Sequence, residues 1–420
     1  MNIVYVAPFG LGQKTTVWAR TLPLAQQMVA RGHRAAIIIP PWDTPADAGT
    51  QRTDGGVDLV NVTLGGGPVI VTRRMLREIH ARQPDIVHVV KPRAHAGLVQ
   101  WWLWQQRRLG RSVPMLILDV DDWEQAWNAV NDYGPAMSRF LTWQEEWGIR
   151  HADGITAASR WLENRAQSYA PATPVHYLPN GVTLPPVAKN VSAAEAVQAR
   201  DAQPSVLYYT RFVEVDPSWL ARCWQTVLTH VPQAQLLVAG TPLQPGLDAP
   251  FHAAMADRLG AEAASVTWLG FVTPAMQTDL YARVHCAIFP AREEPLQQAK
   301  CSVRLATTLL NGVPVVASAV GEQQGYGADG AAALVSARAA PEEFGLAVVA
   351  LLADAAEQAA MPTRAAAHLA AHYTWDRLGG TLDAFYQTIH GQQHTGQERV
   401  KTLVSGKRSV MRPVSGGDDR

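Results

Sequence analysis

Residues 1–40 read MNIVYVAPFGLGQKTTVWARTLPLAQQMVARGHRAAIIIP. Asn2 to Pro8 is a short apolar run of strand length. The loop Phe9-Gly10-Leu11-Gly12-Gln13 follows. From Thr16 to Arg31 the residues Val17, Leu22, Leu24, Met28 and Val29 recur at helical spacing, and Gly32 ends them as a C-terminal cap. Arg34 to Pro40 is a second strand whose centre, Ala35-Ala36-Ile37-Ile38-Ile39, has no polar position to give to solvent. A strand apolar on both faces and reached through a helix belongs in a parallel sheet covered on both sides.

The alternation continues outward. Val57–Leu64 and Pro68–Val71 read as short strands, Arg73–Arg82 as a helix, Asp85–Val90 as a strand and Ala94–Leu109 as a helix. Pro114–Val120 is a strand ending in acidic residues, and Pro135–His151 is a helix. Gly154–Ala158, Arg160–Ser168 and Val175–Leu178 give strand, helix, strand. Thr183–Pro204, with Pro185-Pro186 and an Ala-rich polar stretch, reads as a linker. The pattern restarts at Val206–Tyr209 and runs to a helix over Thr374–Ile389. The expected organisation is a first domain over 1–184, a linker over 185–204, a second domain over 205–373, a helix over 374–390 and a disordered tail over 391–420. Doubly wound sheets bind ligands past the carboxyl ends of their strands, so two of them would face a shared cleft.

Apolar residues make up 47% of the 420 and charged residues 17%, ample for real cores. Lys plus Arg and Asp plus Glu are 36 each, without the basic excess of a nucleic-acid binder. Cys223, Cys286 and Cys301 show no paired spacing and are expected as reduced thiols. No signal peptide or membrane-spanning run is read, and a cytoplasmic protein is expected. Trp101, Trp102 and Trp104 beside Arg107, Arg108 and Arg111 form either a core helix with a basic edge or a helix resting on an anionic membrane.

Several stretches carry a family resemblance in their order: Leu178-Pro179-Asn180-Gly181-Val182, Tyr209-Thr210-Arg211-Phe212, Ala234–Gly240, Val266–Val272, Gly312–Ser318 and Thr374-Trp375-Asp376. Together they resemble the retaining GT-B glycosyltransferases of glycosyltransferase family 4. The resemblance implies an α/β fold of two Rossmann-like doubly wound domains facing a cleft, with a last helix crossing back to the first. It implies transfer of a sugar from a nucleotide diphosphate sugar to an acceptor, with retained configuration. It implies no cofactor and no obligatory metal, the diphosphate being neutralised by basic side chains and a helix N-terminus.

On the donor side, the resemblance puts Arg211 at the diphosphate, which its planar fork suits; an Arg at a strand end reads the same way. Members usually carry a Lys five residues later, where this chain has Asp216. Lys300 and Arg304, four apart, would share the face of a helix whose free N–H groups attract phosphate, and would replace the charge missing at Asp216, unless they are two solvated cations. The family's paired glutamates fall on Ala299 and Thr307, the second at the nucleotide ribose; Glu293 and Glu294 lie upstream. Gly10 and Gly12 mark either a backbone approach to the donor or a plain tight turn. Glu322 is a candidate for sugar hydroxyls.

On the acceptor side, Asp119, Asp121 and Asp122 end a strand, where they would orient a hydroxyl or act as base, or cap the next helix. His88 is a further catalytic candidate, and Lys91 and His95 are candidate acceptor ligands. A retaining glycosyltransferase is the leading expectation. A degenerate, non-catalytic GT-B module binding a sugar, nucleotide or partner is the alternative, and a sugar-nucleotide epimerase a third.

Overall fold

The computed structural model describes residues 1–12, 16–130, 133–185 and 203–391. Eight strands form the first sheet: β1 (Asn2–Val6), β2 (Arg34–Ile39), β3 (Gln51–Asp54), β4 (Val57–Asn61), β5 (Ile86–Val90), β6 (Met115–Val120), β7 (Gly154–Ala157) and β8 (Val175–Tyr177). Their order is β3-β4-β2-β1-β5-β6-β7-β8, parallel except for the β3–β4 pair. A second sheet holds β9 (Ser205–Tyr209), β10 (Gln235–Ala239), β11 (Val266–Gly270), β12 (Cys286–Phe289), β13 (Val315–Ser318) and β14 (Ala333–Val335). Its order is β11-β10-β9-β12-β13-β14, with every pairing parallel.

In each sheet the strand order turns back at the first strand: β1 lies between β2 and β5, and β9 between β10 and β12. At such a switch point the loops diverge and leave a crevice. The apolar strands named above explain the layering. Val4, Val6, Val87 and Val89 serve one core, while Ile3, Tyr5, Ile37 and Ile117 serve another on the opposite face.

Two local readings change. Pro68–Val71 is not a strand but the first turn of the helix Gly67–Arg82, where a proline's fixed φ and missing N–H are tolerated. β3 has the polar sequence QRTD, fully exposed, with no apolar alternation to reveal it; the edge of β4 and the turn at Gly55-Gly56 create it.

The chain passes between the lobes at two neighbouring places. Val182 N donates to Tyr373 O at 2.7 Å, and Val182 and Thr374 form a parallel bridge. The helix over 375–391 then lays Leu378, Leu382, Tyr386 and Ile389 into the core around Ile3 and Ile37. Most of the expected linker and nearly all of the expected tail lie outside the described residues. Among those described, no single helix is long and apolar enough to cross a membrane. Trp102 is partly exposed, whereas Trp104 packs edge-on against Trp147 and His151.

Candidate active site

A cavity of about 270 Å³ opens between the lobes. The first lobe lines it with Thr16, Ala19, Arg20, Lys91, Asp121, Asp122, Trp127 and Asn180, the second with Lys300, Cys301, Ser302 and Val303. A smaller cavity of about 70 Å³ shares Lys300 and Ser302 and adds Tyr209, Glu214, Gln297 and Arg304 among its walls. Both lie at the crevices the two switch points leave.

The first-lobe wall is built on buried charge. Arg20 donates from Nε to Asp119 Oδ2 at 2.8 Å and from Nη2 to Asp119 Oδ1 at 2.7 Å. Thr156 Oγ1 donates to the same Oδ1 at 2.7 Å. Burial alone would raise the Asp119 carboxyl, but the Arg20 guanidinium outweighs it and holds the group below its usual range. Asp119, expected as a base beside the acceptor, is therefore a buried counter-ion with both oxygens engaged. His88 is also corrected. Its Nδ1 contacts the Tyr386 hydroxyl, its ring stacks on Tyr5 at 5.1 Å, and burial pushes its pKa down to about 4. It ties β5 to the last helix and lines neither cavity.

Lys91 does reach the cleft, with its ammonium 3.0 Å from Asp121 Oδ1 and 2.9 Å from Glu124 Oε1. Glu124 also binds Arg93, so a cation–anion chain runs along the loop after β6. Burial raises Asp121 to about 6, Lys91 opposing and Asp119 adding to the shift. Asp122 is raised by burial too, with Lys91 opposing the shift. Asp121 and Asp122 thus share the cavity with a lysine that they and Glu124 already neutralise. His95 lies apart, half-buried, and lines neither cavity; burial lowers its pKa.

The second-lobe wall differs in character. Lys300 ends the short helix Pro295–Ala299, and Arg304 opens the helix Val303–Leu310. They do not share one helical face as expected; they approach the same small cavity from either side of the Ser302 cap. Lys300 lies over the Trp127 ring at 5.4 Å and Arg304 over Tyr209 at 5.1 Å. Among the described residues neither has a carboxylate within salt-bridge distance.

Arg211 is exposed and lines neither cavity. The reason is local: Glu214 accepts from Thr210 Oγ1 at 2.8 Å and from the Arg211 and Val213 N–H groups, closing the turn after β9 around itself. Asp216 is neutralised by Arg292 at 2.6 Å, a partner that sequence spacing does not suggest. Thr307 is exposed, and its hydroxyl returns to Val303 O at 3.0 Å. Glu293 pairs with Arg338, and Glu294 with Arg292.

Glu322 is buried away from both cavities described above. It accepts from Arg160 N at 2.9 Å and from the Tyr177 hydroxyl, joining the second lobe to the start of a first-lobe helix. It lines a separate inter-lobe cavity of about 520 Å³ with Arg160, Tyr177 and Tyr373. Gly10 donates to Asp43 Oδ1 at 2.5 Å, and a Cβ there would meet Thr44 Oγ1 at 2.2 Å. Gly12 faces Thr44 in the same way, so both glycines admit the Asp43-Thr44 loop; Gln13 lies outside the described residues.

Two residues that line the inter-lobe cavity escaped the sequence reading as site candidates. Arg20 falls in the stripe Val17, Leu24, Met28, and a lone cation on an apolar face signals a buried anion elsewhere. Asn180 was legible only as part of a motif. Its Oδ1 accepts from Arg20 at 3.0 Å, its N–H points to Cys301 Sγ at 3.1 Å, and its carbonyl accepts from Tyr326 at 2.7 Å.

Residues 15–181 match the family described as Glycosyl transferase 4-like domain, and residues 203–354 match Glycosyl transferases group 1. The chain belongs to the GT-B glycosyltransferases of the family 4 type. This GT-B chain is 32% identical over 188 residues to a D-inositol 3-phosphate glycosyltransferase of Mycobacterium marinum, covering 43% of this chain and 38% of the relative. The Mycobacterium ulcerans protein of the same name is 29% identical over 193 residues, with the same coverage. The chain thus spans 38% of the length of the curated relatives it matches. Among solved structures, sucrose-phosphate synthase from Thermosynechococcus elongatus superposes with a TM-score of 0.67 at 18% identity, over 93% of this chain and 99% of the other. Anabaena HepE in complex with UDP-glucose gives 0.61 at 14% identity, over 92% of this chain and 100% of that one. At such identities these two share the fold, two Rossmann-like domains.

Proposed function

We propose that the chain transfers a sugar from a nucleoside diphosphate sugar to a hydroxyl-bearing acceptor, with retained anomeric configuration. The observation that carries this is the pair Lys300 and Arg304, two cations without carboxylate partners among the described residues: Lys300 lines both the inter-lobe cavity and the smaller one beside it, and Arg304, at the start of a helix, lines the smaller one. As the glycosidic bond breaks, negative charge grows on the leaving diphosphate, and such cations stabilise it more than the intact donor. The helix start adds to them, because Ser302 makes no side-chain hydrogen bond to the first turn. The UDP-glucose held by HepE makes UDP-sugars the first donors to test.

The opposite wall supports the acceptor reading. Arg20 is neutralised there by Asp119 and Lys91 by Asp121 and Glu124, so the wall carries no free cation among the described residues, and the carboxylate oxygens of Asp121 and Asp122 would hold hydroxyl groups. The leaving diphosphate would help to deprotonate the acceptor on the face it departs from. Closure of the lobes would exclude water, so that the sugar meets acceptor rather than solvent.

The test is release of nucleoside diphosphate from UDP-, GDP- and ADP-sugars. Lys300→Ala and Arg304→Ala should each lower kcat/KM by about a hundredfold with an unchanged circular dichroism spectrum. If no donor is turned over and calorimetry detects no UDP, GDP or ADP binding, the enzymatic reading fails and the non-catalytic module takes its place.

A further inference from the structure

We propose that Asp329, His368 and His372 form a binding site for a divalent transition-metal ion of the zinc class, on the second lobe and outside the cavity walled by Lys300 and Arg304. His368 and His372 stand one turn apart at the end of the helix Ala355–His372, with ring centroids 5.0 Å apart. Asp329 comes from the loop after the helix Glu322–Tyr326 and is held at φ 55, a left-handed conformation that few non-glycine residues adopt.

The decisive contacts are those of the His368 ring. Its Nε2 lies 2.9 Å from Gly325 O, and its Nδ1 lies 3.1 Å from Asp329 Oδ2. A carbonyl oxygen only accepts, so Nε2 carries the proton. In a neutral imidazole Nδ1 then holds a lone pair, and it faces a carboxylate oxygen that also has only lone pairs. Two lone pairs thus converge at 3.1 Å, as two ligand atoms on one ion do. The His368 side chain is only 7% exposed and that of Asp329 77%, so one ligand is fixed by packing while the other faces the solvent from which an ion would come.

The arrangement favours the metal. A ligating imidazole usually donates its far N–H to a backbone carbonyl or carboxylate, as His368 does to Gly325. The ligand atoms of all three residues lie within 4.8 Å of one another. The 3.1 Å between Nδ1 and Oδ2 is close to the ~3.3 Å edge of a tetrahedron with bonds of about 2.0 Å. The exposed His372 offers the third ligand atom within the same span. Two imidazoles and one carboxylate select zinc-class ions over magnesium or calcium, which take oxygen ligands. No sequence spacing announces the site, because Asp329 is 39 residues from His368.

The experiment uses the full chain, stripped with chelator and titrated with zinc chloride by calorimetry and with cobalt chloride by visible absorption. The expected result is saturable zinc binding, a cobalt d–d band typical of nitrogen and oxygen ligands, and a Tm raised by zinc. His372→Ala and Asp329→Asn, both at exposed positions, should each weaken zinc binding by about tenfold or more and abolish the Tm rise. These variants separate the site from histidines elsewhere in the chain. Absence of saturable zinc binding, or variants that bind as the wild type does, would overturn the proposal and leave the His368–Asp329 contact as a structural link between helix and loop.

Discussion

Glu145 sits in the middle of the helix Pro135–Arg150 with no exposed surface. It accepts one hydrogen bond, from Gln125 N at 3.0 Å, and its other oxygen has no partner among the described residues. Burial, reinforced by the neighbouring Glu124, pushes its pKa to about 8. Between the ordinary value of 4.5 and this one, the folded chain holds a proton that the unfolded chain has lost. Stability therefore falls as pH rises through that window, by at most about 1.4 kcal/mol per pH unit. Glu145→Gln should flatten this slope, which urea denaturation at pH 6 and pH 8 would read directly. An equal slope in the variant would assign the dependence to another group. A residue of this kind is hidden in a sequence, where Glu145 looks like any helical glutamate. Asp121, Asp122 and Lys91 could be located because a strand's carboxyl end is recognisable. Asp119 and His88 stand on the same strands but point into the sheet's cover, and only the partners Arg20 and Tyr386, 99 and 298 residues away, reveal this.

At the scale of elements, Gly240 shows why the turn motifs were readable. It ends β10 at φ 129, and a Cβ there would lie 2.0 Å from the carbonyl oxygen of Thr210. Glycine allows the turn after β9 to press against the end of β10, which shapes the wall beside Tyr209 and Arg304. Gly240→Ala should cost on the order of 3 kcal/mol, from the strained φ and the clash together. A Tm of the variant within a degree of the wild type would show that the turn relaxes freely. Strands and long helices were legible because burial on one or both faces imposes a period on the sequence. The short helices Pro295–Ala299 and Glu322–Tyr326 contain too few residues for a period to show. Those helices set the directions of Lys300 and Glu322. The placement of Lys300 beside Arg304 and the diversion of Glu322 to Tyr177 were therefore out of reach of pattern reading.

For the whole molecule, the last helix belongs by sequence to the end of the chain and by packing to its beginning. Leu378, Leu382, Tyr386 and Ile389 are buried with the first lobe's core. Each contributes about 2 kcal/mol by burial, so deletion of residues 374–420 should destabilise the first lobe most, although the cut is made after the second. Hydrogen exchange resolved by peptide would show faster exchange in β1 and β5 than in β9 and β12. Equal acceleration in both lobes would contradict this assignment.

The two passages of the chain between the lobes run side by side, at Val182 and Thr374, hydrogen-bonded to one another. Such a pair behaves as a short axle. Sliding of one lobe past the other would tear the bond between its two strands, whereas a swing about it would not. An opening that kept this pair intact would be a rotation, carrying Lys300 and Arg304 along arcs centred on that line at a fixed distance from the axle.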